Sequence, residues 1–371
     1  MTPIDRRVFL HLNWALIGLT LTLFGLGLLN LYSASGIRIE EGISVSSFYQ
    51  KQLVWGLIGF CGMLAFMLFD YRHLKLLAWP LFWITVALLL VVLVNGHIAG
   101  GAKRWINLGL FNFQPSELAK ISMLLLGAKT LSRNPGNLDW GGLFIVFGIG
   151  LVPTALVIVQ PDLGSGLSLL LLLGGMILYR GLKPAIIKTA VVVLPCLVPL
   201  GWFGLHDYQK QRILTFLDPG RDPLGSGYHI IQSQIAIGSG RLWGEGFQAG
   251  SQSQLRFLPE KHTDFAVAVF GEEWGFFGMM ALVTLFCFFL YQIHLVAGEA
   301  KDRFGVYLAA GVFFYFFWQI LINVGMVLGL MPVVGIPLPF ISYGGSATLV
   351  NFCLLGLVLN VSMRRFVFKQ A

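Results

Sequence analysis

Charge is what this 371-residue sequence has least of: 11% of it is Asp, Glu, Lys or Arg, against 56% apolar residues. A water-soluble domain carries about a quarter charged residues, so an ordinary soluble globule is excluded. Disorder is excluded too, because it needs few apolar and many charged side chains. Cysteine is scarce, and Cys61, Cys196, Cys287 and Cys353 each sit alone in an apolar segment. Without CxxC spacing they read as small core residues, not as disulfide or metal chemistry. Neither an internal repeat nor a low-complexity tract is visible.

What is abundant is hydrophobicity, delivered in blocks of about twenty residues, the length a helix needs to cross ~30 Å of hydrocarbon. Spans are expected at about 14–33, 52–69, 74–95, 117–131, 143–160, 164–180, 184–204, 275–297, 305–330 and 343–363. The expected fold is an all-α polytopic membrane protein, a single unit over 1–371. It has ten transmembrane helices and one long extracytoplasmic loop, 205–274, between the seventh and eighth. Arg6, Arg7 and the later Ser33-Ala34-Ser35 imitate a signal peptide. The apolar stretch between them exceeds the usual h-region of about 7–15 residues, so it reads as a retained first helix.

The net charge of +8 does not require a nucleic-acid partner, because membrane topology explains it. With an even number of spans, the side shared by the termini holds fourteen Lys and Arg, against four (Arg38, Lys51, Lys103 and Arg104) in the short loops opposite. Positive charge stays inside, so both termini are expected in the cytoplasm and 205–274 outside. Within that loop, Tyr228 to Ser239 mixes isoleucines with Gln232 and Gln234, as a short interfacial helix does.

A charge at the bilayer centre costs at least ~2.5–3.5 kcal/mol, so polar groups retained at the spans are informative. They gather on the outer side. Glu117 and Lys120 share one helix face; they either pair to mark a helix start or form part of a site. Asp162, in Gln160-Pro161-Asp162-Leu163-Gly164, is a turn residue that would cap the sixth helix, or a site carboxylate. Glu272 and Glu273 read as interfacial residues at a helix start. Asp264 stands out, since no turn or cap signal explains it and six apolar residues follow it. His262 beside it is either a ligand or an interfacial histidine.

Lys103-Arg104-Trp105 suits a phosphate headgroup, or is a plain aromatic-belt loop. The uncharged run Pro332 to Ser346 is irregular backbone that the membrane tolerates only when it is buried in protein or lines a cavity. In that run, Gly344 and Gly345 would let backbone amides approach an anion. Composition stops at an extracytoplasmic cavity suited to a phosphorylated lipid, and it does not separate an enzyme from a transporter.

At these segments the sequence resembles the SEDS family (shape, elongation, division and sporulation). The likeness is carried by Lys103-Arg104-Trp105 with Gln114-Pro115-Ser116-Glu117-Leu118-Ala119-Lys120, by Gln160 to Gly164, by Leu217-Asp218-Pro219 through Gly240, by Leu258-Pro259-Glu260-Lys261-His262-Thr263-Asp264-Phe265, and by Pro332 to Ser346. It spans essentially the whole chain. Tyr228-His229-Ile230-Ile231-Gln232-Ser233 is nearer the RodA branch than the division branch.

The resemblance implies a glycosyltransferase of the bacterial cytoplasmic (inner) membrane that polymerises lipid II into β-1,4 glycan strands with inversion, releasing undecaprenyl diphosphate. Implied partners are lipid II and the nascent strand, membrane lipid, a class B penicillin-binding protein (the transpeptidase), and other membrane proteins of the elongation machinery. The family's essential aspartate falls on Asp264, the expected general base, and its polar pair on Glu117 and Lys120. Lys120 and Arg104 are then expected to stabilise the diphosphate, with Glu117 orienting Lys120 or the substrate. Gln114, Ser116, Asp162, His262, Ser342, Tyr343, Gly344 and Gly345 are expected as further substrate contacts. A divalent cation, Mg or Mn, would serve the same diphosphate, although no ligand cluster declares one. The competing reading is a lipid II flippase, which would place charged sites near the midplane with access to both leaflets.

Overall fold

The computed structural model describes residues 12–35, 48–99, 102–107, 109, 112–204, 207–222, 225–255, 257–258 and 260–365. The apolar runs become helices close to where they were expected: α1 (Trp14–Ser35), α2 (Phe48–Leu68), α3 (Tyr71–Asn95), α4 (Pro115–Leu131), α5 (Trp140–Val159), α6 (Leu163–Arg180) and α7 (Pro184–Gly204). After them come α8 (Asp207–Leu217), α9 (Ser226–Ser239), α10 (Ser251–Gln254), α11 (Ala266–Glu299), α12 (Arg303–Val327) and α13 (Gly345–Met363). Side-chain caps set several starts: Asp70 accepts the Arg72 amide before α3, and Asp139 the Gly142 amide before α5.

Among the described residues, eight helices are long and apolar enough to cross a membrane, namely α1, α2, α3, α5, α6, α11, α12 and α13. The protein is a multi-pass membrane protein. The expected fourth and seventh spans are helices as well, but they do not meet the same standard. The apolar part of α7, Pro184–Leu197, is short. α4 has 17 residues, of which 14 are buried, including Glu117 and Lys120. A helix walled in by protein needs no lipid-facing apolar surface, which is why α4 can carry charge.

α13 lies along α2, α11 along α12, α3 along α4 and α5 along α6. Buried amides tie helices together: Gln160 Nε2, at the end of α5, donates to the Leu89 carbonyl of α3 at 2.9 Å, and Asn360 Nδ2 of α13 to the Phe66 carbonyl of α2 at 2.5 Å. In hydrocarbon such donors are held because an unpaired polar group is costly.

Two features depart from expectation. The segment after α3 is not a plain loop. It forms strands β1 (His97–Ala99), β2 (Ala102–Asn107) and β3 (Asn112–Phe113), antiparallel in the order β1-β2-β3. The eighth span also begins at Ala266 rather than near 275, because helix resumes across a break at Gly275 (φ 64°, ψ −160°). Glu272 and Glu273 are therefore not helix-start residues at an interface; both are buried within α11, just before the break.

Into that break fits the turn after α9. Phe276 and Phe277 donate their amides to the carbonyls of Arg241 and Leu242, at 2.9 and 3.2 Å. Only glycine tolerates this backbone, and a Cβ on Gly275 would overlap the Gly244 amide and the Gly240 carbonyl. Gly275→Ala is expected to destabilise the protein by at least the ~1–3 kcal/mol of such backbone strain. The reading is thermal unfolding of the detergent-purified chain, and an unchanged midpoint would contradict the account of the break.

Candidate active site

The loop leading to α13 is where distant elements meet. Gly164, in the first turn of α6, lies so close to the Val334 carbonyl that a Cβ would not fit. Arg212 of α8 donates through Nη1 to the Val333 carbonyl at 3.3 Å. Asn323 of α12, fully buried, donates through Nδ2 to the Ile336 carbonyl at 2.8 Å and to the Asp264 carbonyl at 3.0 Å. Gly335 has φ 78°, and its nearest neighbour in the side-chain direction is Asp264 Oδ2, at 3.5 Å from where a Cβ would sit. The carboxylate of Asp264 thus stands over a position with no side chain.

Asp264 belongs to the tight turn over 260–265 that precedes α11. Burial raises its carboxyl from the ordinary range to about 6, and Glu260 adds to the rise. Arg104 and Arg212 oppose it. The group is therefore a carboxylate near neutrality that becomes protonated as pH falls through about 6, a range suited to a general base.

Arg104 reaches this region from β2. The pairing of Ile106 with Phe113 sets β2 beside the residue before α4, Gln114. Both converge on Asp162: Gln114 Nε2 donates to Oδ2 at 2.9 Å, and Arg104 Nη1 lies 3.7 Å from Oδ1. Oδ1 also accepts the Ser165 amide at 3.2 Å, so Asp162 caps α6 and anchors Arg104 at once. Arg104 Nε is buried without a hydrogen-bond partner among the described residues.

Glu117 and Lys120 form a tight buried pair, Nζ to Oε1 at 2.6 Å. Lys120 Nζ also lies 5.7 Å from the centre of the Tyr315 ring, whose hydroxyl donates to Asn351 Oδ1 at 2.8 Å. The other Glu117 oxygen, Oε2, has no partner among the described residues. Ser116 Oγ lies 3.5 Å from Ser165 Oγ, between this pair and the Asp162 turn.

The other expected contacts also engage neighbouring protein groups. His262 stacks on Phe48 at 4.3 Å, and burial together with Lys261 lowers its pKa to about 4, so it is a neutral ring. Its carbonyl accepts the Tyr343 amide at 2.7 Å. Gln52 of α2 receives the Gly344 amide at 3.2 Å and donates to the Ser342 carbonyl at 3.2 Å, while Ser342 Oγ accepts the Leu338 amide at 3.0 Å. The Gly344 amide is thus not an open anion nest, and Gly345 is small because the Trp55 ring presses on it. The structure uses Ser342 to Gly345 to hold the loop and to tie it to the Asp264 turn.

Glu272 and Glu273 clamp the segment before that turn. Glu272 accepts the amides of Gln252 (2.6 Å) and Ser253 (3.0 Å); Glu273 accepts the Gln248 amide (3.2 Å) and the Ser33 hydroxyl of α1. Among the described residues, no three His, Cys, Asp or Glu side chains converge to hold a metal ion.

The sequence pattern of the FtsW/RodA/SpoVE cell cycle protein family matches residues 13–366. The chain belongs to this family. It is 44% identical over 296 residues to the peptidoglycan glycosyltransferase MrdB of Escherichia coli K12, covering 78% of this chain and 79% of that one. It is 37% identical over 355 residues to stage V sporulation protein E of Bacillus subtilis, covering 94% of this chain and 96% of that one. Among solved structures it is similar to a chain of a peptidoglycan synthase complex that coordinates polymerization and crosslinking. That match has a TM-score of 0.82 and 32% identity, over 96% of this chain and 99% of that one. The rod shape determining protein RodA of Thermus thermophilus matches at TM-score 0.70 and 28% identity, over 96% and 98%.

Two residues of this candidate site, Arg212 and Asn323, are not among those the sequence pattern singles out. Arg212 was one of several cations in the long loop, with nothing in its spacing to mark it. Asn323 lies inside an apolar span, where a side-chain amide is itself a signal. Replacing Asn323 with the similarly sized Leu leaves the Asp264 and Ile336 carbonyls without this donor, at a cost of about 1–3 kcal/mol for each one left unsatisfied. Thermal unfolding of Asn323→Leu is expected to shift downward, and a midpoint equal to wild type would show that the amide does not hold the turn.

Proposed function

We propose that this protein is a peptidoglycan glycosyltransferase that joins lipid II disaccharide units into β-1,4 glycan strands in the bacterial cytoplasmic membrane. The observation that carries the reading is Asp264, a carboxylate with a pKa of about 6 that shares its field with Arg104 and Arg212. A base beside cations suits one reaction class: attack by a hydroxyl on a sugar whose leaving group is an anionic phosphate.

In this mechanism Asp264 takes the proton of the acceptor 4-hydroxyl as its oxygen bonds to the anomeric carbon of the donor. The anomeric bond to undecaprenyl diphosphate breaks, and an α linkage is replaced by a β linkage. A single base suffices for direct inversion. Arg104 and Arg212 bind the departing diphosphate, whose negative charge needs donors rather than a proton. Lys120, buried with Glu117, supports them electrostatically from behind Asp162. The divalent cation finds no protein ligand set among the described residues, and the mechanism is derived without it.

The charge asymmetry of the loops supports cytoplasmic termini and an outward-facing site. The likeness to a chain from a synthase complex supports a class B penicillin-binding protein as partner, with other elongation-machinery proteins beside it. The flippase reading is disfavoured by the placement of Asp264, Arg104 and Asp162 together at one end of the bundle. Translocation calls for a path open to both leaflets.

Purified protein with its cognate transpeptidase is expected to convert labelled lipid II into polymer. Asp264→Ala should lose about 10²–10⁴-fold in rate, the usual worth of a general base, while still folding and binding the transpeptidase. Strands of normal length and yield from Asp264→Ala would overturn the assignment, and translocated monomer without polymer would favour the flippase.

A further inference from the structure

At the opposite end of α4 and α6 from the site just described, the structure contains a second feature that the glycosyl-transfer reading does not use. A cavity of about 450 Å³ opens between the α4–α5 and α6–α7 connections. α4 has 17 residues, so at ~1.5 Å per residue its two ends lie about 25 Å apart, and the cavity is not an extension of the Asp264 region.

The cavity is built by the backbone. The Leu138 amide donates to the Gly181 carbonyl at 2.9 Å, and the Lys183 amide to the Leu138 carbonyl at 3.1 Å, which fastens the two connections together. Arg180 reinforces the joint by donating to the Asn134 carbonyl at 2.8 Å and to the Gly136 carbonyl at 3.3 Å. Arg133, Arg180 and Lys183 line it, against the single carboxylate Asp139. Asp139 is occupied in capping α5. Its apolar lining is formed by buried Leu138 and Val146 and by exposed Ile145. Below it, the exposed face of α5 continues with Phe144, Phe147 and Leu151.

We propose that this cavity binds the phosphate of an anionic lipid headgroup, with the acyl chains lying along α5. Cations above an apolar wall match an amphiphile whose charge sits at the interface and whose tail lies in hydrocarbon. Arg133 and Lys183 are exposed, so their side chains are available to a phosphate. A headgroup held there ties together the ends of α4 and α6, whose other ends carry Glu117, Lys120 and the Asp162 cap. The inference is independent of Asp264 and of what the site there does.

The test is native mass spectrometry of the full chain in detergent, titrated with phosphatidylglycerol, with phosphatidylcholine and with inorganic phosphate as competitor. Wild type is expected to bind phosphatidylglycerol more tightly than phosphatidylcholine. Removing both exposed cations in Arg133→Ala/Lys183→Ala should weaken phosphatidylglycerol about thirtyfold, leave phosphatidylcholine unchanged, and preserve the melting temperature. Displacement of phosphatidylglycerol by millimolar phosphate supports a site that also admits the free ion; resistance to displacement supports one specific to the lipid. Equal binding of the two lipids by wild type, or equal phosphatidylglycerol affinity of wild type and variant, overturns the proposal.

Discussion

The side-chain amide of Asn323 holds the site together. From inside α12 it donates to the carbonyls of Asp264, just before α11, and of Ile336, between α12 and α13. Both belong to irregular backbone. In a membrane protein such backbone persists only where protein supplies the hydrogen bonds that lipid cannot. Gln52 and Arg212 do the same for Ser342, Gly344 and Val333. The position of Asp264 follows from this need: its turn lies where its carbonyl finds a donor, and its carboxylate is left facing the gap above Gly335.

The few charges of the chain divide by what neutralises them. Glu272 is satisfied by two backbone amides, and Oε1 of Glu273 accepts an amide and a hydroxyl; they act as clamps. Asp162 is engaged by a cap, an amide and Arg104. Glu117 and Lys120 neutralise one another, as buried charges must if both are to stay ionised. Among the described residues, no donor is bonded to the Asp264 carboxylate, and Arg104 and Arg212 act on it only through the field. The Asp264 carboxylate is thus left to accept a proton from something else.

Much of this was legible beforehand. Apolar runs of span length located the helices, because lipid imposes that length on the sequence directly. Asp264 stood out because a charge before six apolar residues has no local use. What could not be read are relations between segments. Glu272 and Glu273 looked interfacial because the amides that satisfy them come from residues 248–253, whose fold into the Gly275 break has no signature in local pattern. Gly344 and Gly345 looked like an anion nest because neither Gln52 nor Trp55 is near them in sequence. Arg212 was indistinguishable from other loop cations until α8 placed it against Val333.

The central claim is that Asp264 acts as a base whose proton affinity the neighbouring arginines hold down. The most direct test is the rate of glycan polymerisation against pH, for wild type and Arg212→Gln in complex with the transpeptidase. The active form is the carboxylate, so the wild-type rate should rise as pH increases through about 6. Loss of Arg212 removes a cation that favours that form, so the rise should move to higher pH. An acid limb at the same pH in both proteins would contradict the account.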